Sequence, residues 1–436
     1  VGGGIRTVSI GTDVRASTYR QELSDRSGEL TTEQFVGNLE HLRAAEYSNH
    51  WGVSYQVPVV ESSFETIQEV LRAVTQDPGK MSAVLYTFAH KNEIELALIL
   101  PTGQPLRHTV ENVSLQDLRR TTARFRSQLT NPIFRSSTQY LLEAQKLYSW
   151  LIEPFRDVLD ENGVEVLQFS LGPGLRSLPL AALHDGEQFL IENFAVATIP
   201  SFALLNNDYQ SLQNATVLVA GTSQFDTLPE LPAVPIEVDT INATWNTVDL
   251  IDEAFTLEAL RTARQQSPFA IAHFATHAFF EPGGDLQKSY VQLWGSERVD
   301  VNAISTLNFH TPPLELLVLS ACSTAVGDDQ AELGFAGLSV QSGAKSVVAS
   351  LWQVSDSGTL ALMTEFYNAL GNLPTKAEAL RQAQLALLRG EVTIRQGQLQ
   401  GSSRGTVPVP QELTKDNLDF THPYFWGSFT LIGSPW

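Results

Sequence analysis

Cysteine is nearly absent from this chain: Cys322 is the single one among 436 residues. One cysteine excludes an internal disulfide framework and a cysteine-rich zinc site. Long apolar runs are also missing, and no stretch approaches the roughly 18 residues of a membrane-spanning helix. The first residues lack the charged and apolar parts of a signal peptide and an initiator Met. We therefore expect a cytoplasmic location, no membrane association and excision from a longer protein.

Positive charge is scarce as well. The chain has 28 Lys and Arg residues against 48 Asp and Glu residues, which gives a net charge of −20. Such a surface repels phosphate backbones, so nucleic acid is not an expected partner, whereas basic proteins or peptides are favoured. The composition, 43% hydrophobic and 17% charged, is that of a globular protein. The length predicts two to three domains.

Apolar runs alternate with helical patterns over most of the chain. The runs at 216–220, 269–276, 314–321 and 346–352 predict buried strands with helices between them. This alternation predicts an α/β fold with a mostly parallel, doubly wound sheet, whose ligands bind at the carboxyl ends of strands. Upstream, two runs predict a hairpin, and a single helix is expected at 137–159. The Gly-, Ser- and Gln-rich stretch 390–410 predicts a loop, and the last apolar run, 425–432, a strand.

Two reactive side chains follow these strands directly. Cys322 ends the run LELLVLSAC, and His277 ends the run FAIAHFATH. Neighbouring parallel strands would bring the thiol and the imidazole to one edge of the sheet, with the sulfur about 3–6 Å from a ring nitrogen. A nearby imidazole raises the population of the reactive thiolate. The sequence therefore predicts a His/Cys dyad.

Several segments together resemble the CHAT family of caspase-like cysteine peptidases, which is related to separase and often follows helical repeats in cyanobacteria and other bacteria. The resemblance covers roughly residues 140–436 and not residues 1–75. The segments that carry it are 175–183 (LRSLPLAAL), 273–277 (HFATH), 318–324 (VLSACST), 343–352 (GAKSVVASLW), 376–384 (KAEALRQAQ) and 422–426 (HPYFW).

The resemblance implies a caspase-like α/β/α sandwich with a mostly parallel sheet. Residues 213–436 would form the catalytic domain, and residues 76–212 an upstream, non-catalytic α/β part that resembles a pseudo-caspase unit. Residues 1–75 would be an arm or the end of an upstream region. Helical-repeat or other regulatory domains are the expected neighbours in the parent chain.

The resemblance also implies roles for individual residues. Cys322 would be the nucleophile and His277 the catalytic histidine. The N–H groups of Cys322 and Ala278 would hold the oxyanion. The family usually has Gly at the positions of Ala278 and Ala325. Neither departure removes a reacting group, although Ala278 would be strained if the site required a positive φ.

Trp352, Asp356 and Asp328 are the predicted substrate-binding residues, and Trp352 ends a predicted strand. The stretch WQVSD, which ends in Asp356, is similar to a separase segment whose Asp binds a basic P1 side chain. The alternative role for Asp356 is as N-cap of a helix that begins at Ser357. The acidic group around Asp328 could line the mouth of the pocket, or form a solvated loop.

Metal and cofactor chemistry are not expected. His273 and His277 have the HxxxH spacing of a metal pair, but they lie on a predicted strand with no third ligand, so His273 is interpreted as a core residue. The predicted function is cysteine endopeptidase cleavage of a protein partner, with a preference for a basic P1 residue. The alternatives are a non-enzymatic, caspase-like signalling or docking module and another acyl-transfer reaction of the dyad.

Overall fold

Apolar runs without alternating polar residues form the central strands, as expected for strands covered on both faces. The computed structural model describes residues 14–51, 64–279, 289–307, 309–320, 342–401, 405–413 and 418–436. The strands are β1 (Ser82–Ala89), β2 (Glu93–Ile99), β3 (Leu106–Glu111), β4 (Val166–Ser170), β5 (Ala195–Thr198), β6 (Thr216–Gly221), β7 (Asn246–Ile251), β8 (Ile271–Ala275), β9 (Ala278–Phe279), β10 (Tyr290–Gln292), β11 (Arg298–Asp300), β12 (Leu316–Leu319), β13 (Ser346–Ser350), β14 (Thr393–Arg395), β15 (Gln398–Gly401), β16 (Gly405–Pro408), β17 (Leu418–Asp419) and β18 (Phe429–Gly433).

Helices fill most of the intervals between the strands. They are α1 (Val14–Arg26), α2 (Thr32–Trp51), α3 (Phe64–Gln76), α4 (Leu115–Thr130), α5 (Tyr140–Leu151), α6 (Arg156–Glu161), α7 (Leu190–Asn193), α8 (Val234–Asn242), α9 (Leu257–Gln266), α10 (Val301–Ile304), α11 (Asp356–Leu370), α12 (Lys376–Leu388) and α13 (Pro423–Trp426). Side chains that favour N-caps begin several of them, including Ser114 at α4 and Thr375 at α12. None of the helices in the described ranges has the length and apolarity to cross a membrane.

One sheet of eleven strands runs through the described part of the molecule, in the order β3-β2-β1-β4-β5-β18-β13-β12-β8-β6-β7. Strands β13, β12, β8, β6 and β7 form one parallel block. Strands β18, β5, β4 and β1 form a second block that runs the opposite way, because β18 pairs with β13 antiparallel. This arrangement confirms the predicted α/β fold with a mostly parallel sheet.

The strands of the upstream part alternate their side chains between two apolar cores. Val84, Tyr86 and Phe88 of β1 pack into a core that the N-terminal helices α1 to α3 help to build. Ala83 and Leu85 point to the other face, which α4 and α5 cover. The period of two residues along the strand thus produces three layers, helix on sheet on helix.

Polar strands close both edges of the sheet. Strand β3 at one edge and β7 at the other have exposed or half-buried side chains at every position. Arg107 lies on β3 and Asp249 on β7. Charged side chains on an edge strand oppose pairing with another chain.

Three sequence predictions on this framework need correction. The stretch 390–410 is not simply a loop, because β14, β15 and β16 pair within it and form a small sheet with β17. The predicted helix 137–159 is interrupted between α5 and α6, where Pro154 cannot donate the backbone bond that a continuous helix needs. The predicted strand 425–432 begins later, since α13 occupies its first residues.

The boundary predicted at residue 213 is crossed by the sheet. Strand β5 lies before that boundary and pairs with β18, which comes last in the chain. The two parts therefore share one continuous sheet, and a separate companion unit stays a prediction.

Helix α2 is attached to the upstream part by buried polar contacts. Glu40 accepts hydrogen bonds from the Ser201 hydroxyl and from the backbone N–H groups of Phe202 and Ala203. Six residues further along the same helix, Glu46 pairs with the guanidinium groups of Arg43 and Arg176. Each of these two arginine side chains is only 1% exposed, so Glu46 neutralises charge that water cannot reach.

We expect Glu46→Ala to destabilise the protein by about 3–5 kcal/mol at pH 7, because it leaves buried guanidinium groups unpaired. Burial opposes ionisation of Glu46, but Arg176, Arg43 and Arg20 outweigh it and lower its pKa to about 2. The stabilisation is thus complete above pH 4.5 and is lost as the pH falls toward 2. Urea unfolding at several pH values measures the free energy of unfolding of the wild type and of Glu46→Ala. The difference between the two values should become smaller below pH 4.

Glu29→Ala serves as the control for this measurement. Glu29 pairs with Arg26, and the two side chains are 70% and 60% exposed. Exposed pairs contribute little to stability, so the control should unfold close to wild type. Equal stability of the Glu46 variant and this control would show that the buried cluster does not hold α2 in place.

Candidate active site

The carboxyl ends of β8, β12 and β13 lie side by side. Phe274 of β8 pairs with Leu319 of β12, and Leu319 pairs with Ala349 of β13, all in parallel register. Neighbouring strands are about 4.8 Å apart. The described residues that follow these three positions therefore leave the sheet at the same edge.

His277 is held by the loop that follows β6. Its Nε2 atom lies 2.9 Å from the carbonyl oxygen of Pro229, and its ring lies 4.6 Å from the ring of Phe225, centroid to centroid. The backbone is fixed as well, because the N–H of Gln292 donates to the carbonyl of His277. The imidazole is thus restrained on both sides, and its orientation is set before any ligand arrives.

The contact with Pro229 determines which ring nitrogen can act as a base. A carbonyl oxygen only accepts hydrogen bonds, so Nε2 must carry the proton and Nδ1 carries the lone pair of the neutral ring. Burial lowers the pKa of His277, and the bond to Pro229 opposes this effect in part. Near pH 7 the free imidazole is therefore neutral and able to accept a proton at Nδ1.

Ala278 occupies a strand position beside the histidine. It is buried, and it pairs with Val291 in the antiparallel ladder of β9 and β10. Because Gln292 donates to His277, Ala278 and Val291 are a non-hydrogen-bonded pair, in which the N–H of Ala278 is directed away from β10. Its φ angle lies outside the left-handed region, so alanine at the family's glycine position carries no backbone strain.

The predicted nucleophile lies outside the described residues, and so do Ala325 and Asp328. The last described residue before it is Ser320, two positions upstream of Cys322. Ser320 is buried, and its N–H donates to the carbonyl of Phe274 on β8. The dyad distance between Cys322 and His277 therefore stays a prediction.

A cavity of about 430 Å³ opens at this sheet edge. His277, Ser320 and Asp356 all line it, together with Glu237 from α8. Its mouth includes Arg135 and the exposed acids Glu230 and Glu412. The described part of the lining thus carries four carboxylates and one guanidinium group, which favours cationic ligands.

Asp356 points into this cavity and does not cap a helix. Ser355 is the N-cap of α11, since its hydroxyl accepts from the N–H of Gly358, and Asp356 is the first residue of the helix. The alternative role predicted for Asp356 is therefore wrong. Its carboxylate accepts a hydrogen bond from the N–H of Ala233, 3.1 Å away. Burial raises the pKa of Asp356 to about 6. The hydrogen bond from Ala233 lowers this pKa in part, whereas the charge of Glu237 raises it.

Trp352, a predicted substrate-binding residue, lies behind the wall of the cavity, and its contact with substrate stays a prediction. It is 4% exposed, and its indole N–H donates to the carbonyl of Tyr424, 3.0 Å away. The hydroxyl of Tyr424 donates in turn to the carbonyl of Gln353, a cavity residue. Trp352 thus supports the wall of the cavity from behind.

His273 is a fully buried core residue, as predicted. Its Nδ1 lies 3.0 Å from the hydroxyl of Tyr367, and its Nε2 lies 3.1 Å from a carboxylate oxygen of Glu237. Glu237 also accepts a hydrogen bond from the Ser320 hydroxyl. Sequence reasoning missed Glu237, since nothing in the pattern of α8 distinguishes it from an exposed acid.

One group of residues has the spacing of a metal site, far from this cavity. It consists of His90, Glu93 and Glu95 near the turn between β1 and β2. The buried carboxylate of Glu95 already pairs with Arg107 and accepts from Ser27. These contacts satisfy the carboxylate without a metal ion, so the group is explained as part of the fold.

Comparison with known proteins identifies the family of this chain. The sequence model of the CHAT domain matches residues 142–434, which is most of the chain. The chain belongs to the CHAT domain family. This CHAT domain thus contains His277, Ser320, Asp356 and Glu237 within the matched region. A search of curated protein sequences gives no match.

The solved structure of separase is similar in fold to this chain. Separase of Saccharomyces cerevisiae, in its complex with securin, has a TM-score of 0.55 at 11% identity, over 95% of this chain and 36% of separase. The chain thus spans about a third of the separase chain. The Arg-specific cysteine proteinase gingipain R has a TM-score of 0.41 at 9% identity, over 73% of this chain and 74% of gingipain.

We expect Asp356→Asn to stabilise the protein at pH 8 by up to about 2 kcal/mol. The raised pKa means that the folded state keeps its proton up to about pH 6, whereas the unfolded state loses it near pH 4. Stability is therefore lost as the pH rises through this window. Asparagine is neutral and still accepts from Ala233. Thermal unfolding from pH 4 to 8 should show a melting temperature of Asp356→Asn that exceeds the wild-type value by more as the pH rises.

Asp117→Asn is the matched control, because Asp117 also lies in the first turn of a helix. Its bonds with Ser114 lower its pKa, which is the opposite direction. This variant should lose stability at neutral pH. If Asp356→Asn behaves in the same way, the carboxylate of Asp356 is not held in an unfavourable environment.

Proposed function

We propose that this CHAT domain is a cysteine endopeptidase that cleaves a protein partner through His277 and Cys322. One observation carries the proposal: a neutral, oriented imidazole lines an acidic cavity at the sheet edge where the Cys-bearing strand ends. Membership of the CHAT family and the fold shared with separase support the same reaction class. The partner would reach the site as an extended peptide segment.

The chemistry follows from the protonation of His277. Nδ1 of the neutral imidazole takes the proton of the Cys322 thiol, and the thiolate attacks the scissile carbonyl carbon. The negative charge that develops on the carbonyl oxygen is stabilised by the N–H groups of Cys322 and Ala278. The imidazolium then gives its proton to the leaving amine. Water hydrolyses the thioester and restores the free thiol.

The carbonyl of Pro229 would assist both proton transfers. It holds Nε2–H throughout the cycle and stabilises the imidazolium, because a charged donor makes a stronger hydrogen bond than a neutral one. The restraint also keeps Nδ1 directed at one place. A rotating imidazole would lose this alignment.

Asp356 would select substrates with Lys or Arg at P1. Its carboxylate lies in the cavity and accepts a hydrogen bond from the N–H of Ala233, and Glu237 adds negative charge nearby. A substrate cation would relieve both the burial and the repulsion between these acids. A charge-assisted bond of this kind contributes about 1.5–3 kcal/mol, or roughly a 10- to 150-fold preference over a neutral P1 residue.

The second candidate is a non-enzymatic docking module. The replacement of the family's usual glycine by Ala278 favours this candidate. Ala278 retains its N–H and has a strand conformation, so this replacement leaves the proposed oxyanion site usable. A peptide with an electrophilic carbonyl trap distinguishes the two, since only an enzyme attaches it to Cys322. Product mass distinguishes hydrolysis from another acyl transfer. Regulatory domains in the parent chain, such as helical repeats, would control access of the partner.

Cys322→Ala and His277→Ala should each lower peptide cleavage by at least about 10³-fold, because each removes a reacting group. Initial rates on a mixed peptide library and melting temperatures are the two measurements. Melting temperatures should stay near wild type. The control His108→Ala removes an exposed histidine from β3, at the far edge of the sheet, and should retain full activity. Full cleavage by the Cys322 variant would disprove the nucleophile assignment.

Asp356→Ala should reduce cleavage after Lys and Arg by roughly 10- to 150-fold and cleavage after neutral residues far less. The physical reason is the lost charge-assisted bond to the P1 side chain. Cleavage-site profiling of the library by mass spectrometry gives both rates from one reaction. The exposed cavity residue Glu412 provides the comparison: Glu412→Ala should leave the P1 ratio within about threefold. An unchanged ratio in the Asp356 variant would remove Asp356 from the P1 site.

A further inference from the structure

A chain of buried polar contacts connects the core of the domain with the last described residue before the nucleophile. It runs from Tyr367 on α11 to His273 on β8, then to Glu237 on α8, and ends at Ser320 after β12. All four side chains are at least 94% buried, and Glu237 and Ser320 also line the cavity. The catalytic steps described above use none of them.

The direction of each proton in this chain can be assigned. Burial, with the charge of Glu237, raises the pKa of Tyr367, so its phenol stays protonated and donates to Nδ1 of His273. The neutral ring then carries its proton on Nε2, 3.1 Å from Oε1 of Glu237. That approach lacks the alignment of a hydrogen bond, so we treat the contact as electrostatic. The hydroxyl of Ser320 donates to the same oxygen, 2.6 Å away.

These contacts converge on one carboxylate oxygen. Among the described residues no Lys or Arg forms an ion pair with Glu237, so the nearby protons of Ser320 and His273 offset its buried charge. Losing the serine hydroxyl would weaken this compensation. The interaction therefore fixes the Ser320 side chain strongly, at the point where the chain leaves β12 toward Cys322.

We propose that Glu237, anchored by His273 and Tyr367, is a positioning residue that holds Ser320 and thereby orients the Cys322 thiol toward His277. The inference rests on the dyad of the proposed function. In this proposal the hydroxyl of Ser320 is the group that position 320 must supply, because it bonds to Glu237. An alanine there would leave the fold intact and allow the segment with Cys322 to shift, which separates the thiol from its base.

Alkylation by iodoacetamide measures this effect directly, because Cys322 is the only cysteine in the chain. Intact mass follows the reaction over pH 5–10 without any peptide substrate. A thiol paired with His277 should react with a midpoint well below the ordinary thiol value of about 8.5. Ser320→Ala should slow alkylation at pH 7 by about tenfold and move the midpoint toward that value. Ser320→Thr retains the hydroxyl and should recover most of the rate.

The control is Ser346→Ala, on the neighbouring strand β13. Ser346 is also a buried strand serine whose hydroxyl donates, but it lies at the opposite end of the strands and bonds to Ser434. Its removal should change the melting temperature and leave alkylation unchanged. In a background of Glu237→Ala, the further change Ser320→Ala should slow alkylation less than threefold, because the partner is already missing.

Three results would overturn the proposal: an unchanged alkylation profile in Ser320→Ala, a loss that Ser320→Thr fails to recover, or an equal loss in Ser346→Ala. If Glu237→Ala does not fold, the Ser320 and Ser346 variants still decide the question. Cleavage of peptides is tested separately. A wild-type protein that cleaves none, but whose alkylation depends on Ser320, would refute the endopeptidase assignment and leave the positioning role standing.

Discussion

The parallel register of β8, β12 and β13 is the constraint on which the candidate site depends. Each of these strands is buried on both faces, so a shift of one residue would exchange the side chains between two packed layers. Such a shift would also move Ser320 from Glu237 and displace the histidine from Pro229. The packing of the core therefore sets the position of the reactive groups, and the loops only complete it.

Burial shifts the pKa values of His277 and Asp356 in opposite directions, and the physical cause is the same for both. It lowers the pKa of His277 and raises that of Asp356, because both neutral forms are easier to remove from water than the charged ones. The site thus holds a base that can accept a proton and an acid whose charged form a cation would stabilise. A protein selected for stability alone would place neither group there, which is why perturbed pairs of this kind are typical of functional sites.

The sequence predicted the parts of the site that follow apolar runs. His277 ends one run, and Asp356 follows another, so their placement at one sheet edge could be predicted. Glu237 could not, because its partners Ser320 and His273 are distant in the chain and only the tertiary structure brings them together. Strands β3 and β14 were missed for a related reason: short, polar strands lack the apolar period that prediction relies on.

The region matched by the family model and the unit that folds do not coincide. The match begins at residue 142, but β4 within it pairs along its whole length with β1, which precedes it. Without β1 to β3, the fully buried β4 would become a bare edge that could recruit strands from other molecules. The first residue of the family match is therefore not a physical boundary of the fold, and the earlier strands cover an edge that would otherwise be open to pairing with other molecules.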